Sequence, residues 1–229
     1  MIALLALALA LGPAEILRRV DEVRLPDASL VMRVVVTTRR PGRTGVSVYE
    51  VMTKGWRRTV VRTLEPKLDR GRVILMRDRD LWVYLPGLRK PLRISPRERL
   101  VGEVSYGDIA RTSFSVDYSA RVLREEAGCQ VLELSAKGPG VTYERVLLWV
   151  ERNTFRPRRA EFYAVSGRLL KTCRYEGYRE VLGALRPTRL VIRDALCRGC
   201  VSVLEYRDIH RKELPDRLFT KHALKRLCF

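Results

Sequence analysis

From Ser29 onward the chain is a succession of short β-rich runs separated by turn residues. SLVMRVVVTTRR, VSVYEVMT, WRRTVVRTL, RVILM, LWVYL and LRI follow one another with Pro-Gly, Lys-Gly, Asp-Arg-Gly and Arg-Asp breaks. Runs this short, bounded this regularly, predict successive antiparallel strands. The stretch 95–113, SPRERLVGEVSYGDIARTS, interrupts the rhythm and reads as a lid or crossing segment, in which Ser105 can cap a helical turn with Asp108 near its start. Strands then return: Phe114, Val116, Tyr118, Ala120 and Val122 alternate with Ser115, Asp117, Ser119 and Arg121, giving one apolar and one wet face. CQVLELSAK, YERVLLWVER, RPRRAEFYA, GRLLKTCRYEGYREV, LRPTRLVIRDAL and CVSVLEYRDI complete the series.

Helical spacing is confined to two short segments. AEILRRVDEVRL carries Ile16, Leu17, Val20 and Val23 on one face, and the terminal FTKHALKRL is opened by Thr220. A sheet of about ten strands curls or closes. Two short helices and a lid leave part of its apolar face uncovered, so a concave groove suited to binding is expected.

With 229 residues, 46% hydrophobic and 31% charged, the chain is sized for one core and one domain, 15–229. Its net charge of +19 attracts anions. The arginines, however, are interleaved with acids in RDRD, PRER, RVLREE and YREV rather than gathered on one arm or helix as in a nucleic-acid module, so no nucleic-acid partner is expected. A solvated surface is the first reading of this charge, and transient contact with an anionic membrane surface the second. Residues 1–14, MIALLALALALGPA, resemble a secretory signal peptide, too short for a bilayer span and without a basic residue before the apolar run. Export is the expectation.

Signs of chemistry are sparse. G-x-S-x-G, P-loop and G-x-G-x-x-G patterns are absent, and most carboxylates neighbour arginines as in surface ion pairs. Neither an enzyme nor a cofactor is expected. The cysteines are Cys129, Cys173, Cys197, Cys200 and Cys228; CRGC sits between two β-rich runs, where a hairpin turn, with or without a local disulfide, is preferred over a thiol pair or a metal site. Trp82 and Tyr84 fit a half-buried strand better than a stacking platform for bases.

Several segments together resemble the LolA-like family of outer-membrane lipoprotein-sorting proteins. They are the Trp82-x-Tyr84-x-Pro86 element, the Gly102 to Asp108 segment, the strand pair with Phe162, Tyr163 and Gly167, RPTRLVIRD, and Phe219-Thr220 before the last helix. Glu103-Val104 stands where the family often has an acidic-aromatic pair. The resemblance implies a mainly β fold, a strongly curved antiparallel sheet of about eleven strands forming a half-open β-barrel with short helices as lid. It implies a monomeric periplasmic carrier of lipoprotein acyl chains or lipid, loaded by an inner-membrane transporter and unloaded to an outer-membrane acceptor. Trp82, Tyr84, Phe114, Val116, Tyr118, Leu148 and Phe162 would then line the cavity, with Val104, Tyr106 and Ile109 on the lid. A periplasmic lipid or lipoprotein sensor acting through a protein partner is the alternative.

Overall fold

The computed structural model describes residues 11–111 and 113–228. The leader expected over 1–14 falls largely outside them, and Pro13 and Ala14 already belong to the first helix, α1 (Pro13–Arg24), with Pro13 in its first turn. There follow β1 (Ser29–Arg40), β2 (Arg43–Lys54), β3 (Arg58–Glu65), β4 (Val73–Arg77), β5 (Asp80–Tyr84) and β6 (Leu92–Arg93). The interrupting stretch forms a small hairpin, β7 (Arg99–Val101) and β8 (Val104–Ser105), and one helical turn, α2 (Tyr106–Ala110). The second series is β9 (Tyr118–Glu126), β10 (Cys129–Ala136), β11 (Arg145–Glu151), β12 (Pro157–Tyr163), β13 (Leu169–Val181), β14 (Ala184–Asp194) and β15 (Val201–Arg211), and α3 (Lys221–Leu227) ends the chain.

Thirteen strands make one antiparallel sheet in the order β6-β5-β4-β3-β2-β1-β15-β14-β13-β12-β11-β10-β9, and β7–β8 form a separate pair. This corrects the expected count of about eleven, because even the two-residue run Leu92–Arg93 pairs, with Val83 and Trp82. The sheet remains open, with β6 and β9 as its edges.

It is nevertheless strongly curled. Arg111 Nη2 donates at once to the carbonyls of Arg79, between β4 and β5, and Gly140, between β10 and β11, at 3.0 and 2.7 Å. Those hairpins are eight strand steps apart through β3, β2, β1, β15, β14, β13 and β12. A flat sheet would hold them about 38 Å apart.

Alternation divides the apolar residues between two cores. On β4, Ile74 and Met76 join the main cluster on the concave face, whereas Val73 and Leu75 join a second cluster on the convex face under Phe219 and Leu224. A strand covered on both sides reads as an unbroken apolar run, as VILM does. The concave face is filled by α1, through Ile16, Leu17 and Val20, and by the lid residues Leu100, Val104, Ile109 and Ala110.

The strand predicted from Phe114 begins only at Tyr118. Residues 114–117 form a turn, closed by hydrogen bonds from the Asp117 and Tyr118 amides to the Phe114 carbonyl. The Phe114 and Val116 amides are taken by Asp21 Oδ1 and Ser113 Oγ, which removes them from any ladder. Val122 is 40% exposed, since β9 is an edge strand that runs beyond the core. Cys197 and Cys200 are disulfide-bonded in the β14–β15 hairpin, as the turn reading allowed.

Candidate functional site

The residues from Ser95 to Arg111 cross the mouth of the curled sheet and form its lid. The helical turn α2 is too short to persist alone. Ser105 and Asp108 hold it in a capping box, the Ser105 amide donating to Asp108 Oδ2 at 2.7 Å and the Asp108 amide to Ser105 Oγ at 3.3 Å. This realises the capping read from the sequence. Gly107 lets α2 lie against the β10–β11 loop: a Cβ there would sit 2.0 Å from Thr142 Oγ1.

Directional polar contacts then fasten the lid to the sheet. Lys171, on β13, donates to Asp108 Oδ2 at 2.5 Å and to the Glu103 carbonyl at 2.9 Å, while the Tyr143 hydroxyl donates to Asp108 Oδ1 at 2.6 Å. The Lys171 and Asp108 side chains are only 9% and 10% exposed. Arg40 pairs with the buried Glu103 at 2.7 Å, and the Glu103 amide donates to Ser202 Oγ at 2.8 Å. At the far end of the lid, Arg111 holds Asp117 through both carboxylate oxygens at 2.7 Å. Asp21 of α1, fully buried, accepts from the Ser113 hydroxyl and from the Phe114 and Ser115 amides at 2.7–2.8 Å.

The surroundings explain how these groups titrate. Burial, reinforced by the Asp108 carboxylate, holds the Tyr143 phenol well above its ordinary range, so it stays a neutral donor. Burial also raises Tyr118, whose hydroxyl accepts from the Tyr143 amide. Asp117 is raised by burial, with Arg111 pulling the other way. Burial pushes the Cys173 thiol up to about 12. The lid groups hold one another, and the arrangement's chemistry is that of a clasp.

Most of the expected lining converges on this region. Val104, Ile109, Phe114, Tyr118, Leu148 and Phe162 all lie in the main cluster, and Tyr106 packs against it half-buried. Trp82 and Tyr84 do not: they belong to the convex cluster under α3, and their neighbours Leu81 and Val83 face inward instead. Val116 is half-buried in the turn and outside the clusters. Missed from the sequence were Asp21, Lys171, Tyr143 and Arg111, whose partners are mostly distant in the chain.

The groove is closed in this structure. Beneath the lid lie two voids of about 50 and 40 Å³, both bordered by Arg24, Asp108, Arg111, Tyr175 and Leu190. Pockets for small ligands run to about 300–1,000 Å³. The expectation of an uncovered groove is thus corrected, since α1 and the lid fill the concavity. Outside the clasp is a cleft of about 550 Å³ whose floor includes Val104, Tyr143, Leu170 and Lys171. Val165 and Leu196, on hairpin loops at its border, are 72% and 66% exposed. Among the described residues no helix is long and apolar enough to cross a membrane, and no group of three or more His, Cys, Asp or Glu is placed to hold a metal.

Comparison with known proteins points the same way. A family model described only as "Uncharacterized protein" matches residues 55–226. Among solved structures, a LolA superfamily protein from Nitrosomonas europaea is 45% identical, with a TM-score of 0.89 over 93% of this chain and 99% of that one. An outer membrane lipoprotein-sorting protein domain from Vibrio parahaemolyticus shares the fold at 20% identity, with a TM-score of 0.79 over 93% and 98% of the two chains. A DUF1329 family protein from Desulfovibrio piger shares it at 22% identity, with a TM-score of 0.79 over 93% and 100%. No curated protein matches.

Proposed function

The chain belongs to the LolA superfamily, and from that premise we propose that it is an exported, periplasmic carrier that takes acyl chains of a lipoprotein or lipid under its lid and shuttles them towards the outer membrane. The observation that carries the reading is the clasped lid over an apolar concavity, with Lys171, Asp108 and Tyr143 between the outer cleft and the inner voids. In this reading the structure is the closed form, with α1 and the lid packed into the concavity that acyl chains would occupy.

The exchange is energetically feasible. Withdrawing Leu100, Val104 and Ile109 from the core costs roughly 5–9 kcal/mol at the usual 1.5–3 kcal/mol for a buried aliphatic side chain. A sixteen-carbon chain gains about 0.8 kcal/mol per buried CH₂, about 12 kcal/mol in all. Cargo can therefore displace the lid, and the returning lid offsets most of the gain, so that release stays accessible. Phe114, Tyr118, Leu148 and Phe162 would remain as wall when Val104, Tyr106 and Ile109 move away.

The test is native mass spectrometry of protein gently isolated from a cell envelope, together with titration by a fluorescent fatty acid. Co-isolated acylated species and saturable, one-to-one uptake of the probe are expected. Protein that carries no hydrocarbon and ignores the probe would overturn the carrier reading.

A further inference from the structure

At the boundary between outer cleft and interior stands a buried polar group that the closed form leaves without a partner. Among the described residues only Thr142 and Tyr143 border both the outer cleft of about 550 Å³ and the inner void of about 50 Å³. The Tyr143 hydroxyl is committed to Asp108 Oδ1, whereas Thr142 Oγ1 is buried and unpaired. Arg111 Nε is also unpaired, but it borders the inner void and not the cleft. Buried hydroxyls are nearly always hydrogen-bonded, so an orphan on the wall of a cavity marks a place where another group belongs.

The chain holds this hydroxyl in place and keeps it covered. Thr142 lies in the β10–β11 loop, which is fixed on either side of it. Arg97 Nε donates to the Val141 carbonyl at 3.1 Å, Arg111 Nη2 to the Gly140 carbonyl at 2.7 Å, and the Tyr143 amide to the Tyr118 hydroxyl at 3.3 Å. Gly107 of the lid lies directly on Oγ1, as the 2.0 Å approach of a Cβ there shows. Lifting α2 therefore unmasks a preorganised donor at the junction of cleft and concavity. The cations around that junction are already matched, Lys171 by Asp108, Arg111 by Asp117 and Arg24 by Asp21. A buried anion would go uncompensated there, so the group that fits is a neutral acceptor.

We propose that Thr142 reads the ester carbonyl of a diacylglyceryl cargo, its hydroxyl donating to the carbonyl oxygen while the tails lie under the lid and the glyceryl part occupies the outer cleft. The proposal rests on the carrier reading and adds to it the linkage that the cargo must carry. In an acyl glyceride the ester stands between hydrocarbon and headgroup, as Thr142 stands between concavity and cleft. It accepts a hydrogen bond without bringing charge. A site that donates to a carbonyl rejects the analogue lacking it, because the donor is then left buried and unpaired.

Displacement of a bound fluorescent fatty acid by dioctanoylglycerol, and by its diether analogue with the same chains and glyceryl unit but no carbonyl, measures the effect. The parent should prefer the diester at least about fivefold, the factor for one hydrogen bond of ordinary net strength. Thr142→Val should weaken the diester by about that factor and move the diether less than about twofold, whereas Thr142→Ser should keep the preference. Melting curves establish that both variants fold. A short-chain phosphatidylglycerol and a diacylglyceryl-cysteine peptide, run in the same assay, should each lose affinity with Thr142→Val, and the tighter of the two names the source of the ester. Equal affinity of the parent for diester and diether, or a preference that survives in Thr142→Val, would overturn the role of Thr142 and leave the carrier reading standing. Protein that takes up neither the probe nor the competitors would lose the carrier reading itself, and the ester site with it.

Discussion

At the scale of residues, the lid depends on an ion pair that is almost dry. Lys171 and Asp108 meet at 2.5 Å with both side chains about nine-tenths buried, so removing one partner strands the other's charge. Lys171→Met is expected to lower stability by about 3–5 kcal/mol in urea denaturation, and Lys171→Met/Asp108→Asn by clearly less than the two single losses combined. A single variant that costs under about 1 kcal/mol would mean that the pair is screened by water and is not the clasp. Nothing local in the sequence announces this pair. Lys171 reads as a strand residue in RLLKTC, and its partner lies 63 positions earlier. Asp21 is hidden similarly, since its acceptor role is defined by amides more than ninety residues away. Trp82 and Tyr84 show a different limit. In LWVYL both parities are apolar, so alternation cannot tell which face is inward until α3 is known to cover the convex one.

At the scale of elements, legibility follows how local the determining physics is. The strand runs, both helices and the Ser105 cap are written in neighbouring residues, and they appear where the pattern puts them. The start of β9 does not, because tertiary hydrogen bonds to Asp21 and Ser113 turn Phe114 and Val116 out of the ladder. Turn chemistry offers one test of the strand register. Ala127 and Gly128 both have positive φ, of 50° and 76°, as a two-residue hairpin turn of type I′ requires. Asn tolerates that conformation better than Ala, so Ala127→Asn should stabilise the protein by roughly 0.5–1 kcal/mol in the same denaturation assay; a loss of stability would contradict the turn. The lid offers another. Gly107→Ala forces α2 off Thr142, and the nearby Cys173, which borders the same void, becomes the reporter. With its thiol at about 12 and buried, Cys173 should alkylate very slowly at pH 8 in the native protein. Gly107→Ala should accelerate this at least about tenfold, the factor for a 1.4 kcal/mol change in the opening equilibrium, while amides in the central strands keep their hydrogen-exchange protection. Unchanged alkylation would mean that the lid does not gate the interior.

At the scale of the whole molecule, lid and sheet curvature are a single device, because the residue immediately after α2 holds the curl. Arg111 joins hairpins eight strands apart and also neutralises Asp117, with the two side chains 7% and 3% exposed. Displacing the lid therefore loosens the rim of the sheet, so the concavity widens as its cover leaves. Replacing Arg111 by Met removes both functions and should cost about 3–5 kcal/mol at pH 7, through the buried carboxylate left behind. The pH dependence separates that cause from simple loss of packing. Asp117 is already raised above 3.8 by burial, and without Arg111 the opposing pull is gone. The native carboxyl then binds a proton more readily than the unfolded one, so stability is recovered as pH falls through the native pKa toward 3.8. Glu133 and Asp194, whose native values are depressed, lose stability on the same descent. They do so in both proteins and cancel from the difference. The gap between Arg111→Met and the parent should consequently narrow on acidification, and a constant or widening gap would show that Asp117 is not the charge that Arg111 holds.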